Sequence, residues 1–221
     1  MSSKSDNDAR IGARNRRKIL EAAEQAFARF GFKGASVQQI ADMAGIPKTN
    51  LLYYFKSKQA LYSAVFDNIL NLWTSQFEQA TPQDDPADVL SRYIAEKMTL
   101  SRTQPTASRL FAMEILSGAP NLSRYFNDEH VAWMKGRTSL IQSWIDAGKM
   151  TPVNPEFLLY QIWASTEHYA NFAAQISLLH GGKMRKADYD EATYQLIQSI
   201  LAGCGLSVPD SVKATYCAIQ S

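Results

Sequence analysis

The chain reads as an all-α protein, with a small three-helix head at the N-terminus and a larger helical body behind it. Three observations predict this class. Apolar residues recur at helical spacing through most of the 221 residues, and no stretch alternates as a half-buried strand would. Gly and Pro stand where such stretches stop or restart, as at Gly31, Gly45, Pro47, Pro105, Gly118 and Gly148. Two short apolar-faced stretches, 36–44 and 47–55, precede the long ones, and helices so short need tertiary partners to persist.

Taken in order, residues 1–13 are polar and without period, which predicts a flexible arm. From Arg14 a helix begins, with Ile19, Ala22, Ala23, Ala26, Phe27 and Phe30 in one stripe and Gly31 as its stop. Arg14, Arg16, Arg17 and Lys18 crowd its expected first turn, where cations oppose the helix dipole and nearby phosphates would relieve them. Ser36 and Gln39 have capping-box spacing. Val37, Ile40, Ala41 and Ala44 then form one apolar face, and Gly45 can close the helix in the left-handed conformation. Pro47 restarts the chain, and Leu51 and Phe55 turn inward one turn apart. Lys48, Thr49, Asn50 and Tyr53 are left outward. A small, polar, amide-bearing and basic face on a second short helix suits insertion into a DNA major groove.

Ser57 caps a long helix running to about Ala80, with Leu61, Val65, Ile69, Leu72 and Phe77 among its apolar residues. Residues 81–86 form a loop, and a helix follows to about Arg102. Pro105 opens another, which 118–120 stop. The stretch 122–147 is helical and rich in aromatics, Tyr125, Phe126, Trp133 and Trp144. Helices over 156–179 and 187–202 flank the break at Gly181–Gly182. The expected organisation is an arm over 1–13, a head over 14–62, a body over 63–204 and an unassigned tail over 205–221.

Charge supports that division. The first 62 residues hold eleven Lys and Arg against five acids, and the remainder twelve against sixteen. A basic first quarter on an acidic body points to a polyanion met by the head alone, although a solvated basic surface has the same composition. No stretch reaches the roughly 20 apolar residues of a membrane span, and the N-terminus lacks the apolar core of a secretory signal. Two cysteines, Cys204 and Cys217, have neither metal-ligand nor disulfide-framework spacing. These features predict a cytoplasmic protein.

Ser36-Val37 through Ala41, Gly45-Ile46 and LLYYFKSK (51–58) together resemble the DNA-binding signature of the TetR family of bacterial regulators. The resemblance implies a helix-turn-helix in which Gln38, Lys48, Thr49 and Asn50 read bases, while Ser36, Tyr54 and Lys58 grip phosphates. Leu52 stands where the family often has a groove-facing Tyr and offers apolar contact only. Pro47 stands where a Ser or Thr cap is frequent, so one amide loses a side-chain partner. In the body, SRLFAMEILSGAP (108–120) and IWASTEHYANF (162–172) resemble the ligand-binding half of the family's pyrimidine-utilisation regulators. That likeness implies a homodimer on a palindromic operator, joined through 156–179 and 187–202. It also implies a nucleobase-like effector and no cofactor.

Helical steps put Trp163, Thr166 and Glu167 on one side of their helix. With Trp73, Phe77, Phe111 and Glu114 they are the candidate ligand residues: flat aromatic walls and a few polar groups. Each is also an ordinary core residue, and Glu114 and Glu167 are equally explained by internal partners. The resemblance to the pyrimidine-utilisation regulators implies an amide near position 167, where this chain has Glu167. A carboxylate accepts and does not donate, so alone it favours rings with two adjacent donors. The competing class is an enzyme using Glu114 and Glu167 for acid–base work. His130, His168 and His180 are scattered, and no nucleophile or phosphate-loop motif appears, so the reading is not an enzyme. A regulator of another catabolic or efflux pathway, or a DNA-binding architectural protein without a ligand, shares the head and differs in the cavity.

Overall fold

In the computed structural model of the chain, residues 2–122 and 128–217 are described, and every regular element among them is an α-helix. These are α1 (Ser2–Gly34), α2 (Val37–Ala44), α3 (Lys48–Tyr54), α4 (Lys58–Glu78), α5 (Pro86–Thr103), α6 (Pro105–Leu116), α7 (Asp128–Asp146), α8 (Pro155–Asn171), α9 (Ala173–His180), α10 (Lys186–Gly203) and α11 (Asp210–Cys217).

They form two compact units. The head unit comprises Met1–Leu72 together with Arg109–Ser123, so it takes in much of α4 and α6 besides the three N-terminal helices. Its core is the expected stripe of α1, with Ile19, Ala23, Ala26 and Phe27 fully buried, closed by Ile40 of α2 and Leu51 of α3. Aromatic rings extend it: Tyr62 meets Phe27 edge-on at 4.7 Å, and Phe66 lies 6.2 Å from Phe111. Each such side chain contributes about 1.5–3 kcal/mol on burial.

The body unit comprises Trp73–Ser108 and Arg124–Ser221, built around α5. Asp85 accepts from the amides of Ala87 and Asp88, and Pro86 occupies the first turn, so the start of α5 is fixed locally. Its Leu90, Tyr93, Ile94 and Met98 are buried, and α8 and α10 both pack on it. Leu140, Ile141 and Trp144 of α7 join the same core.

Several boundaries differ from the sequence reading. Where an aperiodic arm is expected, α1 continues back to Ser2. The stretch is rich in the weak helix formers Ser, Asp and Asn, but it has no Pro, and Gly12 is its only glycine. Arg14 to Lys18 therefore lie in the helix interior, not in a first turn, and the dipole penalty does not apply. At Gly31 (φ 68°, ψ 173°) the backbone leaves the helical conformation, so the expected stop stands there, and a second short helical piece follows across the kink to Gly34. The single helix expected over 156–179 is broken at Phe172 (φ −109°, ψ 23°) into α8 and α9. Described helix resumes at Asp128 in α7, and Tyr125 and Phe126 lie outside the described residues. The unassigned tail carries α11, whose Val212 and Tyr216 pack on the body core, Tyr216 lying 6.1 Å from Tyr194.

Candidate nucleic-acid interface and ligand site

The helix pair of the head is held by local chemistry. Ser36 Oγ accepts from the Gln39 amide at 3.1 Å and caps α2. Gly45 takes the left-handed conformation (φ 66°, ψ 37°), and its amide and that of Ile46 return to the carbonyls of Asp42 and Ala41. Pro47 begins α3 with no side-chain cap, as its lack of a hydroxyl dictates. Leu51 and Phe55 are buried. Lys48, Thr49 and Asn50 are exposed, Tyr53 is 74% exposed, and Leu52 and Tyr54 are half-buried. Gln38 is exposed and donates to Asp42 Oδ1 at 2.8 Å. Ser57 caps α4 through the Ala60 amide at 3.0 Å.

Lys58 departs from the expectation of an outward phosphate contact. Its ammonium donates to the carbonyls of Phe32 at 2.8 Å and Ala35 at 3.0 Å, and stands 4.6 Å over the Phe32 ring. A cation on the last carbonyls of a helix complements the negative end of its dipole. The first task of Lys58 is therefore to fasten α4 to the end of α1.

In the body, Trp73, Phe77, Trp163 and Glu167 gather around two residues that the sequence reading does not name, Lys97 and Tyr93. Lys97 Nζ donates to Glu167 Oε1 at 2.8 Å and lies 4.3 Å over the Trp73 ring. Its side chain is 4% exposed, and that of Glu167 is 21% exposed. Trp163 Nε1 donates to the Tyr93 hydroxyl at 2.7 Å, and Phe77 stacks on Tyr93 at 4.8 Å. Burial pushes the Tyr93 phenol well above its ordinary range, so it stays protonated. Trp133 of α7 stacks on Trp163 at 6.3 Å, and Arg137 places its guanidinium 5.7 Å from the Phe77 centroid. The site presents indole and phenyl faces with an ammonium donor and a carboxylate acceptor side by side.

The remaining three candidates have other duties. The hydroxyl of Thr166 is turned back onto its own helix, donating to the Ile162 carbonyl at 2.7 Å. Phe111 and Glu114 belong to the head unit. Glu114 is buried with its oxygens taken by the Tyr62 hydroxyl at 2.7 Å, the Asn121 amide at 2.7 Å and Asn121 Nδ2 at 3.3 Å. That is the satisfied core carboxylate of the structural alternative. Burial and the Glu114 hydrogen bond together raise the Tyr62 phenol, which keeps it a donor. Glu114 and Glu167 thus have separate partners, each within its own unit.

Residues 19–65 match the family described as bacterial regulatory proteins, tetR family, and residues 66–207 match the YcdC-like protein C-terminal region. The chain belongs to the tetR family. It is 40% identical over 193 residues to the HTH-type transcriptional regulator RutR of Escherichia coli K12, covering 87% of this chain and 91% of that protein. It is 32% identical over 87 residues to the HTH-type transcriptional repressor NicS of Pseudomonas putida, 37% of this chain and 39% of that one. Among solved structures it resembles AibR in complex with isovaleryl coenzyme A and operator DNA, with a TM-score of 0.62 and 16% identity over 88% of this chain and 99% of the other. A transcriptional regulator from Rhodococcus sp. Rha1 superposes with a TM-score of 0.61 and 18% identity, covering 87% and 98%. These likenesses show the fold.

Membership of the tetR family makes the chain a DNA-binding transcriptional regulator and not an enzyme. No helix among the described residues is long and apolar enough to cross a membrane. Lys97 had one signal in the sequence: it stands on the stripe of Leu90, Tyr93, Ile94 and Ser101, a lysine where α5 is otherwise inward-facing.

Proposed function

We propose that the chain reads a palindromic operator as a homodimer and changes its DNA affinity when a small, planar, nucleobase-like ring occupies the Trp73–Lys97–Trp163–Glu167 site. In this reading Lys48, Thr49, Asn50 and Gln38 contact base edges, Leu52 and Tyr53 make groove contacts, and Ser36, Tyr54 and Lys58 lie along phosphates. One recognition helix reads too few base pairs alone, and a twofold pair reads a palindrome. The α8 face with exposed Phe157, Gln161, Ala164, His168 and Phe172, beside α10, supplies the surface for a second copy. Its DNA partner places the protein in the cytoplasm.

The observation that carries the ligand reading is the Lys97–Glu167 pair. The carboxylate accepts from a ring N–H and the ammonium donates to the neighbouring carbonyl, the two groups being 2.8 Å apart. That edge, N–H beside C=O, belongs to uracil and thymine. It replaces the preference for two adjacent donors expected from Glu167 alone. Trp73 lies on α4, the helix that also carries Lys58 and Tyr62, so a ligand that favours one position of α4 biases the head.

The test is calorimetric titration with uracil, thymine, cytosine and 1,3-dimethyluracil, followed by operator binding with each. Uracil and thymine are expected to bind best, 1,3-dimethyluracil to lose about tenfold or more because it has no ring N–H, and operator affinity to change with binding. Equal affinity for uracil and 1,3-dimethyluracil removes the pair from the ligand site.

A further inference from the structure

The head carries a second cationic feature outside the helix-turn-helix. Arg10, Arg14, Arg16, Arg17 and Lys18 lie within nine residues of α1, with no acid between residues 9 and 20, and all five are exposed. The tetR-family match begins only at residue 19. At 100° per residue Arg10, Arg14 and Arg17 fall on one stripe about 10 Å long, a span that covers two to three phosphates of one strand. Like charges three and four apart on a helix repel one another, and this stripe is paired among the described residues only through Arg17 and Glu21 at 3.7 Å.

The opposite side of the same turns fixes where the stripe stands in the head. A Cβ on Gly12 would lie 3.9 Å from the Tyr54 hydroxyl, at the end of α3, and Arg16 stands 5.3 Å over the Phe55 ring. The start of α1 therefore runs beside the recognition helix, packed on it by one face and cationic on the rest.

We infer that the N-terminal half of α1 is a second DNA contact, in which Arg10, Arg14 and Arg17 hold backbone phosphates beside those spanned by the helix-turn-helix. The inference rests on the DNA-binding reading of the head and extends its footprint. The contact is to phosphate alone, so it adds affinity for every sequence, and salt weakens it in proportion to the counterions released.

The test measures binding to a random-sequence duplex roughly four helical turns long, between ~50 and ~200 mM salt. The proteins are wild type, Arg10→Ala/Arg14→Ala and Arg10→Lys/Arg14→Lys. The alanine pair is expected to flatten the slope of log K against log salt by about 1.8 per protomer and to lose roughly tenfold or more at ~100 mM. The lysine pair keeps the wild-type slope, and melting temperatures stay unchanged because both positions are exposed. If the alanine pair keeps the wild-type slope while wild type binds, the arm is no DNA contact and the helix-turn-helix reading stands. A lysine pair as weak as the alanine pair overturns the role of charge. If wild type does not bind DNA, the reading of the head fails and this inference with it.

Discussion

Replacing Glu167 by Leu is expected to destabilise the protein far more than replacing Lys97 by Met, although both break one ion pair. At 2.8 Å the two unit charges attract by about 6 kcal/mol at an effective dielectric of ~20. Desolvating each ion costs several kcal/mol, so the intact pair contributes little net stability. The two halves differ in their escape route. The Lys97 side chain is 4% exposed and without Glu167 its ammonium is stranded, whereas the Glu167 side chain is 21% exposed and can turn toward water. Stranding a buried charge costs about 3–5 kcal/mol. In a chain of this size that is a fall of roughly 6–20 °C in melting temperature.

Lys97→Met keeps the volume of the stem and is expected to cost about 1–2 kcal/mol. The double variant Lys97→Met/Glu167→Leu removes both charges and should return close to wild type, giving a coupling of about 4–7 kcal/mol in the cycle. The assay is urea unfolding of all four proteins at equal concentration, because a dimer's apparent stability depends on it. Equal costs for the two single variants, or a double variant equal to their sum, would refute the reasoning. Either result would mean that water already reaches the ammonium and that the pair is a surface contact.

The other predictions concern the head and assembly. Asn50→Ala is expected to cost roughly 1–3 kcal/mol in operator binding and to relax specificity, read by comparing operator with random DNA. Lys58→Ala is expected to lower stability by about 1–3 kcal/mol as well as weaken DNA binding, because it frees the Phe32 and Ala35 carbonyls; a loss of affinity with an unchanged melting temperature would restore it to a pure phosphate contact. The protein is expected to sediment as a dimer at micromolar concentration, with Phe157→Asp shifting it toward monomer; wild-type behaviour of that variant would move the interface away from α8.

What the sequence disclosed and what it hid separate by the distance over which each interaction acts. The cap at Ser36, the left-handed turn at Gly45 and the inward pair Leu51 and Phe55 depend on residues three or four apart, and each stands in the structure as read. The continuation of α1 to Ser2 is hidden because a polar, aperiodic stretch carries no helical signal, although no Pro interrupts it. The partners of Lys58 lie 26 and 23 residues earlier in the chain, and the partner of Glu167 lies 70 residues away, beyond any periodicity. The hidden partner alters the ligand argument most. An amide at position 167 would carry donor and acceptor on one side chain. Here the acceptor is Glu167 and the donor is Lys97, supplied by α5. A carboxylate at 167 therefore does not remove the donor from the site, because the ammonium beside it provides one. In the proposed ligand site a uracil-like edge is therefore expected to bind better than a ring bearing two donors, since a second donor would face the Lys97 ammonium.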